Sequence, residues 1–141
     1  MSKTEDMLDV LREWQALERQ AMNDTAEIME KTSSPLIRIV MEIIRHDSLM
    51  HHRVEQFLID TLTKGAVTVT REDIAAVWEH IEAHDRAERR TIQMAEELRK
   101  TAWSPDHKLL LDYLLSEERK HDSLIAQLDA FKKELAKLSG A

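Results

Sequence analysis

Glycine and proline are almost absent from this chain: Gly65, Gly140, Pro35 and Pro105 are the only ones in 141 residues. Sheet proteins need frequent turns, and turns draw heavily on those two residue types. A chain so poor in them, with 33% of its residues charged, is expected to be all-α. Both prolines follow a serine, at Ser34–Pro35 and Ser104–Pro105, which pairs an N-cap with a first-turn proline. Ser2 with Glu5, and Thr70 with Asp73, have the spacing of capping boxes. Gly65 follows the last periodic position of the second helical pattern and suits its C-terminal stop. Helices are therefore expected at about 3–32, 35–63, 71–101 and 105–138. About thirty residues make a helix of roughly 45 Å. The longest connection, KGAVTV, spans at most ~26 Å even when counted as eight residues. The expected architecture is a four-helix bundle, up-down-up-down with short loops, forming a single domain over residues 1–141.

Composition removes several classes of function. The net charge of −7 argues against nucleic acid or an anionic membrane as the main partner. The absence of cysteine rules out disulfides, thiol catalysis and thiolate metal sites. No run is long and apolar enough for a membrane span, and the N-terminus lacks a signal-peptide apolar region. A cytoplasmic protein is the expectation.

Projecting each pattern at 100° per residue locates its apolar stripe. The first helix uses Leu11, Trp14, Ala21, Met22, Ile28 and Met29, with Glu18 in the middle of the stripe. The second uses Leu36, Val40, Ile43, Ile44, Met50, Val54, Phe57 and Leu58, with Asp47 at the centre and His51 close by, while His52 projects away. The third uses Ile74, Val77, Trp78, Ile81, Ile92, Ala95 and Trp103, with Asp85 and Glu88 flanking the midline and His84 at the margin. The fourth uses Leu110, Leu114, Leu124, Ile125, Leu128 and Phe131, with His121 central, Glu117 close and Glu118 at the other edge. The string HDSL occurs twice, at His46 and at His121. His46 is peripheral and His121 central, so the copies are out of register. The equivalent pairs on this projection are Asp47 with His51 and Glu117 with His121.

These breaks in the stripes fall at one level. Counted from the turns, Glu18, Asp47, His51, His84, Glu88 and His121 all lie within about two helical turns of the bundle middle. About four carboxylates then share one layer, with no lysine or arginine on the stripe centres and Arg89 at an edge. Burying that charge is costly unless protons or cations neutralise it. Two divalent metal ions supply a matching charge, and carboxylate with imidazole suits iron, manganese or zinc. The candidate metal ligands are Glu18, Asp47, His51, His84, Glu88, Glu117, Glu118 and His121. Whether Glu117 or Glu118 ligates, and whether Asp47 and His84 take part, stays open at this level.

These residues carry a resemblance. One carboxylate from each of two helices, with carboxylate–His pairs on the other two, resembles the ferritin-like di-iron carboxylate superfamily. Glu118-x-x-His121 in SEERKH matches its Glu-x-x-His motif; Glu18 in ALERQA and Glu88 in HDRAERR stand where first- and third-helix ligands are expected. An Asp-Ser-x-x-His second helix and a His-x-x-x-Glu third helix, here His84 and Glu88, are also similar to small ferritin-like proteins. The chain departs from the pattern at Ser48, where Glu-x-x-His would place a carboxylate, and in its short second connection. That connection is closer to the hemerythrin-like topology, whose spacing His51-x-x-x-Glu55 and His80-x-x-x-His84 echo. The resemblance implies a non-haem di-iron protein using oxygen or peroxide as small-molecule substrate, in iron oxidation or peroxide disposal. A hemerythrin-like oxygen- or iron-binding protein is one alternative. A non-enzymatic helical interaction module with a polar core network is the other. A second apolar row on helix two, Ile37, Met41, Ile44, Ile59 and Leu62, leads to the expectation of a homodimer.

Overall fold

The computed structural model of the protein describes residues 2–65 and 69–138. The expected second connection therefore lies partly outside the described residues, at 66–68. Four helices account for nearly everything else: α1 (Lys3–Lys31), α2 (Pro35–Thr63), α3 (Arg71–Thr101) and α4 (Pro105–Leu138). There is no strand among the described residues. The all-α, four-helix class expected from the sequence is the one observed, and the expected boundaries hold to within a residue.

The helix ends form for the reasons the sequence suggests. Ser2 and Glu5 make a reciprocal capping box, and so do Thr70 and Asp73. Ser34 Oγ accepts from the Ile37 amide at 3.4 Å, with Pro35 opening the helix. At the other end of α2 the Lys64 amide donates to the Asp60 carbonyl, and Gly65 follows at φ 106°. That left-handed conformation is cheap for glycine and strained for residues with a Cβ.

The chain divides into two compact units, Met1–Val67 and Thr68–Ala141. The first is the α1–α2 hairpin. Gln15 Nε2 donates to the His52 carbonyl and to Gln56 Oε1, and Arg19 Nη1 lies 3.1 Å from His52 Nε2. Steps forward on α1 meet steps backward on α2, so the pair is antiparallel. Arg38 Nη1 donates to the Met29 carbonyl at 2.7 Å and ties the turn. The second unit is the α3–α4 hairpin. Its ion pairs, Arg89–Asp122, Arg119–Glu96 and Arg99–Asp112, also run in antiparallel order.

The side chains that seal each hairpin differ from the stripes expected to be buried. In α1 and α2 the buried residues are Leu11, Gln15, Thr25, Ser48, Glu55 and Ile59. In α3 and α4 they are Ile74, Glu88, Ala95 and Leu115. Trp14, Met50, Val54, Phe57, Val77, Leu114, Leu124 and Phe131, all expected inside, stay substantially exposed. The row Ile37, Met41, Ile44, Ile59 and Leu62 shares its face with buried Ser48, Glu55 and Ile59, the side of α2 turned to α1. Of this row Ile59 is buried in the hairpin, whereas Ile37 and Ile44 remain substantially exposed. His52, expected to face water, is half-buried between Gln15 and Arg19.

Two outcomes test this account of the helix ends. Replacing Ser34 by Ala should cost about 1 kcal/mol in chemical denaturation, the usual worth of such a cap. The Thr70 amide and hydroxyl hold the Asp73 carboxyl below its ordinary range. A lowered carboxyl stabilises above its unfolded pKa, and that contribution is lost as pH falls through the folded value. Asp73→Asn should therefore match the wild type at strongly acid pH, be less stable at neutral and alkaline pH, and show a shallower acid-side slope in its stability profile.

Candidate metal centre

In the second hairpin, three donor groups converge. Glu88 on α3 and Glu118 and His121 on α4 each offer a ligand atom, and these atoms all lie within 4.8 Å of one another. No other group of three or more such residues does so among the described residues. Glu88 is the centre of the arrangement. Its Oε1 lies 2.7 Å from His84 Nε2 and 3.3 Å from His121 Nδ1. Its Oε2 is buried without a hydrogen-bond partner. A carboxylate oxygen left so, in a protein that pairs most of its polar groups, has room for one more electrophile.

The helix geometry explains the grouping. His84 and Glu88 are one turn apart on α3, so they face the same way. Glu118 and His121 are three apart on α4 and likewise share a face. Antiparallel pairing then puts Glu88 beside His121.

Glu117, which the projection placed nearer the stripe centre than Glu118, is engaged elsewhere. Its carboxylate lies 2.6 Å from Lys120 Nζ. The structure thus brings Glu118, rather than Glu117, together with Glu88 and His121. Arg89 bridges Asp85 and Asp122 at 3.1 and 3.4 Å. The Asp85 carboxyl is raised, first by its hydrogen bond with Asp122, while Asp122 is lowered by the same bond. Arg89 is thereby engaged by Asp85 and Asp122. A cleft of about 380 Å³ beside them, lined by Trp78, Asp85, Arg89 and Asp122, includes none of the candidate ligands.

The first hairpin carries a looser counterpart. Glu18 Oε2 lies 3.4 Å from His51 Nδ1 but makes no hydrogen bond and is buried. Glu18 is nearly covered, at 12% side-chain exposure, whereas His51 is 59% exposed. Asp47 is half-buried. His46 is 72% exposed beside Glu42 at 3.9 Å, against 43% for His121.

One residue in this hairpin escaped the sequence reading as a candidate ligand. Glu55 is 3% exposed, and its Oε1 is buried with no hydrogen-bond partner. It stands one turn after His51, on the flank of α2 that faces α1. The available signal was its place on the second apolar row of α2, on the same face as buried Ser48 and Ile59. Burial pushes its carboxyl up, and the nearby Glu18 charge adds to that, while His51 and His52 oppose it.

A raised carboxyl favours the folded state below its unfolded pKa, and that advantage fades as pH rises through the folded value. In metal-free protein, Glu55→Gln should melt at the same temperature as wild type at acid pH and higher at neutral pH. Calorimetry in chelator at both pH values measures this.

Neither a family model, a curated protein nor a solved structure matches this chain, so its chemistry has to be argued from these residues alone.

Proposed function

We propose that this is a dinuclear metal-binding protein carrying about two divalent ions per chain and serving oxygen- or peroxide-linked redox chemistry, such as iron oxidation or peroxide disposal. Iron is the first choice of ion; manganese and zinc also suit the donors. The observation that carries this reading is the convergence of Glu88, Glu118 and His121 within 4.8 Å. Two carboxylates and one imidazole are the mixed hard and borderline donors that these ions prefer. Each hairpin holds a buried, unpartnered carboxylate oxygen, Glu88 Oε2 in one and Glu18 Oε2 in the other, whose charge a cation of its own would compensate.

The chain's own residues have distinct parts in this reading. His84 holds Glu88 from one turn away and fixes the orientation of its carboxylate, as outer partners of metal ligands commonly do. His121 offers one ring nitrogen to the cluster. A bound iron ion would supply the electron-transfer chemistry, and the side chains would hold it and set its access to water. Glu117, neutralised by Lys120, stays outside.

The direct test is elemental analysis after aerobic purification without chelator. About two ions per chain are expected. Less than about one, with no gain on adding Fe²⁺, overturns the proposal. Single variants sharpen it. Glu118→Gln and His121→Ala should weaken Mn²⁺ binding by at least tenfold to a hundredfold, roughly the range seen when only an outer partner is lost. Glu117→Gln should bind as wild type does. Because metal binds the folded form, Mn²⁺ at a hundredfold excess over its Kd should add about 2.7 kcal/mol of stability. A melt that metal leaves unmoved, on a sample shown to be loaded, contradicts the reading.

A further inference from the structure

We propose that the α1–α2 hairpin holds one divalent cation of its own, ligated by Glu18, His51 and Glu55. This rests on the metal-binding reading and adds Glu55 as a ligand.

The argument starts from burial. Glu55 is the only carboxylate among the buried residues of α2. It is 97% removed from solvent, since only 3% of its surface remains exposed. Ordinary acidic residues are almost never so covered unless they are paired. Glu55 Oε1 has no hydrogen-bond partner, and Glu18 Oε2, reaching in from α1, has none either. Two carboxylates from opposite helices therefore approach one another inside a hairpin interface. The charged neighbours that act on Glu55 are Glu18, His51 and His52; no lysine or arginine is among them. Arg19, the nearest cation on α1 by sequence, is engaged with His52 instead. With Arg19 so engaged and no lysine or arginine acting on Glu55, a divalent cation would supply the compensating charge.

The donor set also makes chemical sense. Glu18 and Glu55 provide two carboxylate oxygens and His51 provides Nδ1, matching in kind the trio Glu88, Glu118 and His121. His51 and Glu55 lie one turn apart on α2 and share a face. Glu18 stands across from them, 3.4 Å from His51 Nδ1. The three donor atoms are not all within the 4.8 Å that the second hairpin's trio achieves. Metal bonds of about 2.1 Å place neighbouring ligand atoms about 3 to 3.5 Å apart, so the first hairpin must tighten on binding. His51 is the side chain able to turn, because most of its surface is open to solvent. Asymmetry follows: the second hairpin is preorganised, and the first closes around its ion at the cost of ordering a histidine.

Cobalt(II) tests this with the full-length, metal-free protein, because its visible absorption and its stoichiometry by equilibrium dialysis report binding without reference to activity. The wild type should take up about two Co²⁺ per chain, and His121→Ala about one. Adding Glu55→Gln to His121→Ala should abolish the remaining ion and its absorption band. Glu55→Leu, which fills the buried position with an apolar side chain of similar size, should do the same, and circular dichroism shows whether each variant keeps its helices. Retention of the His121→Ala stoichiometry by either helical double variant overturns the assignment of Glu55. A His121→Ala protein that binds none overturns the separate site in the first hairpin while leaving metal binding by the second intact. A wild type that binds no Co²⁺ removes the metal-binding reading itself, and this inference with it.

Discussion

Buried carboxylate charge without a matching buried cation is the constraint on which the rest of this structure turns. Glu18, Glu55 and Glu88 each place an oxygen out of reach of water and without a hydrogen-bond partner. Such groups are expensive, and proteins tolerate them where a proton, a partner or a metal ion completes the account. The basic residues are directed elsewhere. Arg89 joins Asp85 and Asp122, Lys120 holds Glu117, and Arg99 and Arg119 pair with Asp112 and Glu96. Glu18 and Glu88 instead sit beside histidines, at His51 and at His84 and His121.

Each hairpin is consequently sealed by a mixed interface rather than an apolar one. Gln15, Thr25, Ser48 and Glu55 are buried alongside Leu11 and Ile59 in the first, and Glu88 alongside Ile74, Ala95 and Leu115 in the second. Polar side chains at such positions stabilise less than close-packed leucines, but they specify register. Gln15 binds one carbonyl and one amide of α2, and both bonds are lost if the helices slip by a turn. That register is what places Glu18 against His51. In the second hairpin Glu88 lies against His84 and His121, and in the first Glu18 lies against the more exposed His51.

The legible part of the site was the part that helical periodicity governs. His121, Glu88 and Glu18 broke apolar stripes, and each is found where its helix faces its partner. His84 and Glu88, one turn apart, are joined as their spacing suggests. Periodicity failed at one-residue resolution around Glu117 and Glu118. Their projections straddle the helix midline, and the outcome depends on which carboxylate a neighbouring lysine captures. It failed again at Glu55 and His52. Those residues lie on the flank of α2 that packs on α1, whereas the projection took the most apolar flank as the buried one.

The sequence by itself determined the helices and their ends. Caps at Ser2, Ser34 and Thr70, proline at 35 and 105, and the left-handed stop at Gly65 act through bonds only a few residues long, so local chemistry suffices. It also determined the level of the acidic and histidine residues along each helix, because rise per residue is constant. Only the tertiary structure decided which flank of each helix is buried against its hairpin partner, and hence which carboxylates lose water. That choice depends on the rotation of one helix against another, set by contacts between residues 33 to 41 positions apart, such as Glu88 with His121 and Gln15 with Gln56. No periodicity within a single helix contains it.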